Sequence, residues 1–437
     1  MSAAGYRYGR DAIGTLEIRN GRVIDPASGT DRHAPVYVAD GAIAAIGDAP
    51  SGWRAERMLD AAGRVVAPGL VDLAARLREP GLEHKATLES ELEAAIAGGV
   101  TSLACPPDTD PPLDEPGLVE MLKHRARLIN RAHVYPIGAL TIALAGETLT
   151  EMGELAEAGC VAFSQADTPL VDTQVLLRAM QYAATFGHAV WLRPQDPYLA
   201  RGGVAHEGEV ATRLGLPAIP AMAETVALST IFALVRDTRV HLHVCRLSTA
   251  EGVAMVAAAK REGLPVTCDV AVHHLHLCDV DIGWFDSMAH LVPPLRGTRD
   301  RAALRAGVAD GTIDAVCSDH APVDDDGKQL PFGEAEPGAT GLELLLPLTL
   351  KWAQEERVDL ASALARITVH AARVLRVPAG SLAVGAPADI CIFDPHHAWR
   401  VTPAALRSQG RNTPFAGYEL VGRTMTTIVG GQVVFEA

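Results

Sequence analysis

Aromatic residues are scarce, 5% of a 437-residue chain, although 48% of it is hydrophobic. A core of that size must therefore be built mainly from Ala, Leu and Val. There is no excess of basic residues: the formal net charge is -15, which disfavours nucleic acid and anionic membrane surfaces. There is no CxxC pair. The seven cysteines stand singly at 105, 160, 245, 268, 278, 317 and 391, an odd number that argues against a disulfide framework. No apolar run approaches the length of a membrane span, and the first residues, MSAAGYRYGRDAIG, lack the apolar core of a secretion signal. A soluble cytoplasmic protein is expected.

What is present is a change of pattern along the chain. Over roughly 14–68, short apolar segments flank turn dipeptides: Leu16-Glu17-Ile18 and Arg22-Val23-Ile24 around Asn20-Gly21, and Val36–Val38 and Ala42–Ile46 around Asp40-Gly41. Both read as hairpins. The C-terminal stretch has the same character, with a strand at Asp389–Phe393 and a turn through Gly430-Gly431. In between, apolar segments recur near 66–73, 101–105, 133–138, 160–164, 188–192, 239–245, 265–272 and 313–317. They alternate with stretches of helical spacing such as Thr87–Ala97 and Thr249–Lys260. Eight strands alternating with helices predict an α/β fold, a (β/α)8 TIM-like barrel, whose site lies where the strands end. The termini predict a small β-sandwich domain. Residues 1–67 and 376–437 are expected to form it, and 68–375 the barrel.

Those strand ends carry a resemblance. Ala67-Pro68-Gly69-Leu70-Val71-Asp72-Leu73 followed by Leu77-Arg78-Glu79-Pro80-Gly81 resembles the first barrel strand of dihydroorotases. The match continues through Ala97–Ser102, Arg201-Gly202-Gly203, Glu207-Gly208-Glu209, Ile219-Pro220 and Ala223-Glu224. It closes with Pro293-Pro294-Leu295-Arg296 and Ser318-Asp319-His320-Ala321-Pro322. The chain is thus identified as similar to the dihydroorotase family of amidohydrolases. Active members bind one or two divalent metals, usually zinc.

The resemblance implies ligand positions that this chain fills otherwise. The His-x-His pair after the first strand is replaced at Ala74 and Arg76, around Ala75. Gln165 and Ala166 stand where a bridging lysine or acid is expected after the fourth strand, with Asp167 displaced by register. The histidine positions after the fifth and sixth strands are Arg193 and Arg246, and Asp319 alone is retained. Zinc needs three or four N, S or O donors at about 2.0–2.3 Å. Alanine has no donor, and a guanidinium has no lone pair to give. Without a metal, water keeps a pKa of roughly 15.7 instead of about 7. The substrate positions differ as well. Arg78 matches the family arginine that grips the substrate carboxylate, but Asp108, Val292 and Val323 replace two asparagines and a histidine.

In lacking the His-x-His pair the chain resembles a non-catalytic, dihydroorotase-like subgroup associated with aspartate transcarbamoylase, and that resemblance implies a catalytically inactive protein with no cofactor and a vestigial Asp319. It would be a structural subunit of pyrimidine biosynthesis supporting the aspartate transcarbamoylase catalytic chain, in a homo- or hetero-oligomer. The alternatives are an active cyclic-amide hydrolase with an altered metal site, or a metabolite-binding protein in which Arg78 grips an anion. Arg76, Arg193 and Arg246 are expected to pair with Asp319. His273, His274 and His276 read as inherited scaffold, and His241 and His243 as packing on one strand face.

Overall fold

The computed structural model describes residues 14–437, so the reading of the first residues as lacking a secretion signal lies outside the described part. Eight parallel strands form one sheet in chain order: Leu70–Asp72, Val100–Cys105, His133–Ala139, Ala162–Ser164, Ala189–Leu192, His241–Val244, Val266–Ala271 and Ala315–Cys317. They coincide with the eight apolar segments of the sequence. The ends meet through a parallel bridge between Ala75 and His320, where Arg76 N donates to His320 O at 2.9 Å and His320 N to Ala74 O at 2.9 Å. Asp72 reinforces the seam by accepting from the Ser318 backbone at 2.7 Å and the Ser318 hydroxyl at 2.5 Å.

Scarce aromatics suit the inside of this barrel. Its lining is Val71, Leu73, Ala104, Ile137, Ala162, Ala189, Ala271 and Ala315, small enough to interdigitate in layers. Trp191 fills the remaining space and packs on His243 with ring centroids 4.5 Å apart. The helix Val369–Leu375 packs into the same cluster through Ala371, Ala372, Val374 and Leu375. The outer helices start where sequence chemistry sets them. Thr87 and Thr249 cap Leu88–Ala97 and Ala250–Arg261 by accepting from Ser90 N and Gly252 N. Gly98 ends the first of these helices, and a Cβ there would lie 2.3 Å from Leu342 O.

Two further sheets flank the barrel. One joins Arg22–Asp25, Thr30–His33 and Val65–Pro68 to the C-terminal strands Ile390–Arg400, Glu419–Val429 and Gln432–Glu436. The other contains Leu16–Arg19, Val36–Ala39, Ala42–Ile46 and Arg57–Asp60. They share one core that includes Ile18, Val38, Val66, Ile390 and Ile428, so strands from both ends of the chain make the small β-sandwich. The turns at Asp40-Gly41 and Gly430-Gly431 are hairpins, with Ala39 opposite Ala42 and Val429 opposite Gln432. The turn at Asn20-Gly21 is not a hairpin. Leu16–Arg19 pairs within the four-stranded sheet, whereas Arg22–Asp25 crosses to pair with Val65–Pro68 and Thr30–His33. Gly21 permits that crossing, because a Cβ there would meet the Val66 side chain at 2.5 Å. No helix among the described residues is long and apolar enough to cross a membrane.

Candidate functional site

Six side chains from six strand ends converge at the barrel mouth. Arg76 follows the first strand, Asp108 the second, Asp167 the fourth, Arg193 the fifth, Arg246 the sixth and Asp319 the eighth. Arg76 spans three acids: Nε donates to Asp108 at 2.7 Å, Nη2 to Asp167 at 2.6 Å and Nη1 to Asp319 at 3.3 Å. Arg246 spans two, with Nη2 on Asp167 at 2.5 Å and Nη1 on Asp319 at 2.9 Å. Arg193 donates from Nε to Asp167 Oδ1 at 2.6 Å, from Nη2 to the Asp167 carbonyl at 2.8 Å, and from Nη1 to Gln195.

The expected pairing with Asp319 therefore holds for Arg76 and Arg246 but not for Arg193. The acid shared by all three arginines is Asp167, which sequence register had set aside as displaced. Backbone shape explains this: Ala166 adopts a left-handed φ of 50°, which turns the chain at the strand end and leaves Asp167 facing the centre. Gln165, aligned with a family ligand, is instead buried against Thr141 Oγ1 and Leu144 O at 2.8 Å each. Three guanidinium groups face three carboxylates, so the centre is close to neutral. Asp108 is neutralised by Arg76 rather than left free to repel an anion.

The guanidinium side chains are only 4–7% exposed, against 34% for Asp167. Burial alone would raise the Asp167 pKa, but Arg246, Arg76 and Arg193 outweigh it and hold the carboxyl well below the usual range. Burial opposes the charge on Arg246 too, and Asp167 and Asp319 overcome it, raising its pKa. At Arg193 burial wins, and the shift is downward.

The other predicted positions surround this centre. Arg78 stays outside the cluster: Nε donates to Pro322 O at 2.9 Å. Burial and the neighbouring charge of Arg76 lower its pKa. Val292 contributes only its carbonyl, 3.4 Å from Arg246 Nη1. Val323 is buried, with its N–H on Asn412 Oδ1 at 3.0 Å. Ala74 is buried at the barrel seam.

Sequence reasoning missed the support of the Asp319 loop. His320 bonds through Nε2 to Glu91 at 2.6 Å, while its Nδ1 accepts from Gly341 N at 3.1 Å. Glu91, fully buried, also accepts from Ser408 Oγ at 2.7 Å and Gln409 N at 3.0 Å. Asn412 pins the same segment by donating to Ala321 O and Gly338 O at 3.0 Å each. A C-terminal strap is thus tied to the loop that presents Asp319. The cue was a lone acid on the apolar face of a capped helix, which spacing alone does not connect to residue 408. Of the histidines, His243 is held by Asp269 at 3.0 Å and Thr267 at 2.9 Å, and His241 is exposed. Among the described residues, His273 is buried with no hydrogen-bond partner at either ring nitrogen and packs beside the Phe415 ring.

This barrel, with its mouth-centred cluster, has the architecture of the amidohydrolases. The amidohydrolase family model matches residues 173–435, and the dihydro-orotase-like model matches 63–252. The chain is 47% identical to a "Dihydroorotase-like protein" of Pseudomonas aeruginosa, over 97% of this chain and 100% of that one. It is 43% identical to a "Dihydroorotase" of Anaeromyxobacter sp. (strain K), over 96% and 98% of the two chains. It is 39% identical to a "Dihydroorotase" of Geobacter sp. (strain M21), over 97% and 99%. Among solved structures it resembles an L-hydantoinase from Arthrobacter aurescens, with a TM-score of 0.86 and 25% identity over 97% and 96% of the chains. The chain belongs to the amidohydrolase family, among its dihydroorotase-like members.

Two expectations are corrected by these relatives. The reading of a chain that is not an enzyme is overturned: near-full-length relatives named dihydroorotase, and a hydantoinase of the same fold, point to a hydrolase. The reading of a protein without a cofactor falls on the same ground, because the family to which the chain belongs normally holds a metal. The residues at the family's metal position do not themselves fit such an ion. Arg76, Arg193 and Arg246 offer no lone pair, and Asp167 and Asp319 are already bonded to them. Among the described residues, no three His, Cys, Asp or Glu side chains are grouped so as to hold a metal.

Proposed function

We propose that this chain is a hydrolase of cyclic amides working in pyrimidine biosynthesis, with an anionic ring of the dihydroorotate type preferred over a neutral hydantoin. The observation that carries the reading is the 39–43% identity, over nearly the whole chain, to proteins named dihydroorotase. Arg78 supports the preference for an anion. Its Nε is held by Pro322 O, and among the described residues its Nη groups make no hydrogen bond, which leaves a fixed cation with donors to spare for a carboxylate. The test is ring opening of dihydroorotate and of unsubstituted hydantoin by the purified chain, with and without added zinc. The reading expects turnover of dihydroorotate, with Arg78→Met raising KM more than it lowers kcat. Turnover of neither compound under either condition would overturn it.

We further propose that the chain assembles with the aspartate transcarbamoylase catalytic chain. The choice of partner rests on the dihydroorotase resemblance in the sequence; the cluster adds a mouth of fixed shape, because it ties loops after six barrel strands into one ion-paired unit. Light scattering on the chain alone, and mixed with aspartate transcarbamoylase from the same source, tests it. A stable complex of defined stoichiometry is expected; no complex at micromolar concentration would sink it.

A further inference from the structure

A cavity lies beside the barrel mouth. It sits between helices Thr173–Phe186 and Met222–Thr238, beneath the loops that follow the fourth and fifth strands. Its volume is about 120 Å³, and it opens to solvent on one side. The floor is apolar, formed by Leu176, Leu192 and Ile231, each 5–6% exposed. The rim carries Val171 and Tyr198, which are 55% and 64% exposed. Large apolar side chains left in water around a concave apolar floor are the features of a ligand site.

The inner wall is polar and already internally balanced. Arg193 has its charge met by Asp167. The Asp196 carboxylate accepts from the backbone of Tyr198 at 3.0 Å and of Leu199 at 2.9 Å. Gln195 spends its side-chain oxygen on Arg193, which leaves its amide NH2 as a donor in the wall. With Arg193 already paired and Asp196 carrying a negative charge, an anionic ligand would find no free cation here. A neutral molecule with a flat apolar body and one carbonyl would bury its ring on Leu192 and Ile231 and accept from Gln195.

We propose that this cavity binds a small uncharged ligand of that class, an apolar ring bearing a carbonyl acceptor, at a site beside the barrel centre that shares Arg193 with it, an inference that does not rest on the hydrolase reading. Its wall also reports to the centre, because Arg193 contacts Gln195 on one side and Asp167 on the other.

The test uses prodan, a neutral naphthalene ketone whose emission brightens and moves to the blue in apolar surroundings. Titrated into the full chain, it is expected to bind saturably at one site. Ala227, on the helix wall of the cavity and only partly buried, is the position to fill. Ala227→Trp is expected to weaken prodan binding by roughly tenfold or more, a loss of at least about 1.4 kcal/mol, with an unchanged melting temperature. Gln195→Leu is expected to keep binding but shift the emission further to the blue, as the hydrogen bond to the ketone is lost. Should Ala227→Trp prove unstable, Thr230→Trp fills the same wall. Non-saturable emission from the wild type, or equal affinity in a folded tryptophan variant, would overturn the proposal.

Discussion

Arg246 and Asp167 meet at 2.5 Å across the barrel mouth, and the same guanidinium reaches Asp319 at 2.9 Å from its other nitrogen. One planar group thus bridges acids from the fourth and eighth strands. A lysine ammonium presents its three donors from one atom and lacks the two separated, coplanar nitrogens that meet the two acids here.

That bridging gives the first prediction. Arg246→Met leaves two carboxylates short of a cation and is expected to destabilise the fold by about 3 kcal/mol, the low end for breaking a buried pair. The low end applies because Asp167 is 34% exposed and keeps two other arginines. Arg246→Lys is expected to recover less than half of the loss. Urea unfolding of the three proteins measures both values.

Acid stability should fall in two stages. Burial lowers His273, His274 and His276 to about 4 in the folded state, against roughly 6.5 for unfolded histidine. The unfolded chain therefore takes up protons first, and stability drops as pH falls from about 6.5 towards 4. His273→Leu should make that decline shallower, since neither ring nitrogen of His273 has a partner to lose. Urea midpoints at several pH values between 7 and 4 decide this.

Asp167 governs the second stage. Its folded pKa is depressed, so its contribution is fully present above the unfolded value of about 3.9 and disappears below it. Asp167→Asn should already lack this contribution at neutral pH, and so lose less than the wild type on going from pH 5 to pH 3.

The strap predicts a local effect. Glu91→Ala removes acceptors from His320, Ser408 and Gln409 at once, leaving buried donors that cost about 1–3 kcal/mol each. Amide exchange should quicken at residues 318–323 and 406–413 well before it quickens in the strands of the small sheets. Equal acceleration everywhere would mean that Glu91 stabilises the fold without holding this loop.

The eight barrel strands were legible because most of their residues are buried, so that each falls in a short apolar-rich segment between helical stretches. The helix starts were legible because Thr87 and Thr249 cap them. Asn20-Gly21 misled because a turn dipeptide reports local backbone shape, whereas the partner of Arg22–Asp25 is chosen by distant Val65–Pro68. At the site, Arg76, Arg193, Arg246 and Asp319 were found through the dihydroorotase resemblance, which marks the positions just after the strands. Asp167 was missed because its role depends on the turn at Ala166 and on three side chains that only barrel closure brings together. Glu91 was missed for the same reason, as its partner Ser408 lies more than three hundred residues away.

The measurement that tests the arginine–aspartate centre most directly is a double-mutant cycle on Asp167→Asn and Arg246→Met, read by urea unfolding. A shared ion cluster predicts a coupling energy of about 1–3 kcal/mol, so that the double variant is much less damaged than the two single losses combined. Losses that add to within roughly 0.5 kcal/mol would mean that the two side chains act independently, and would contradict a barrel mouth held together by this cluster.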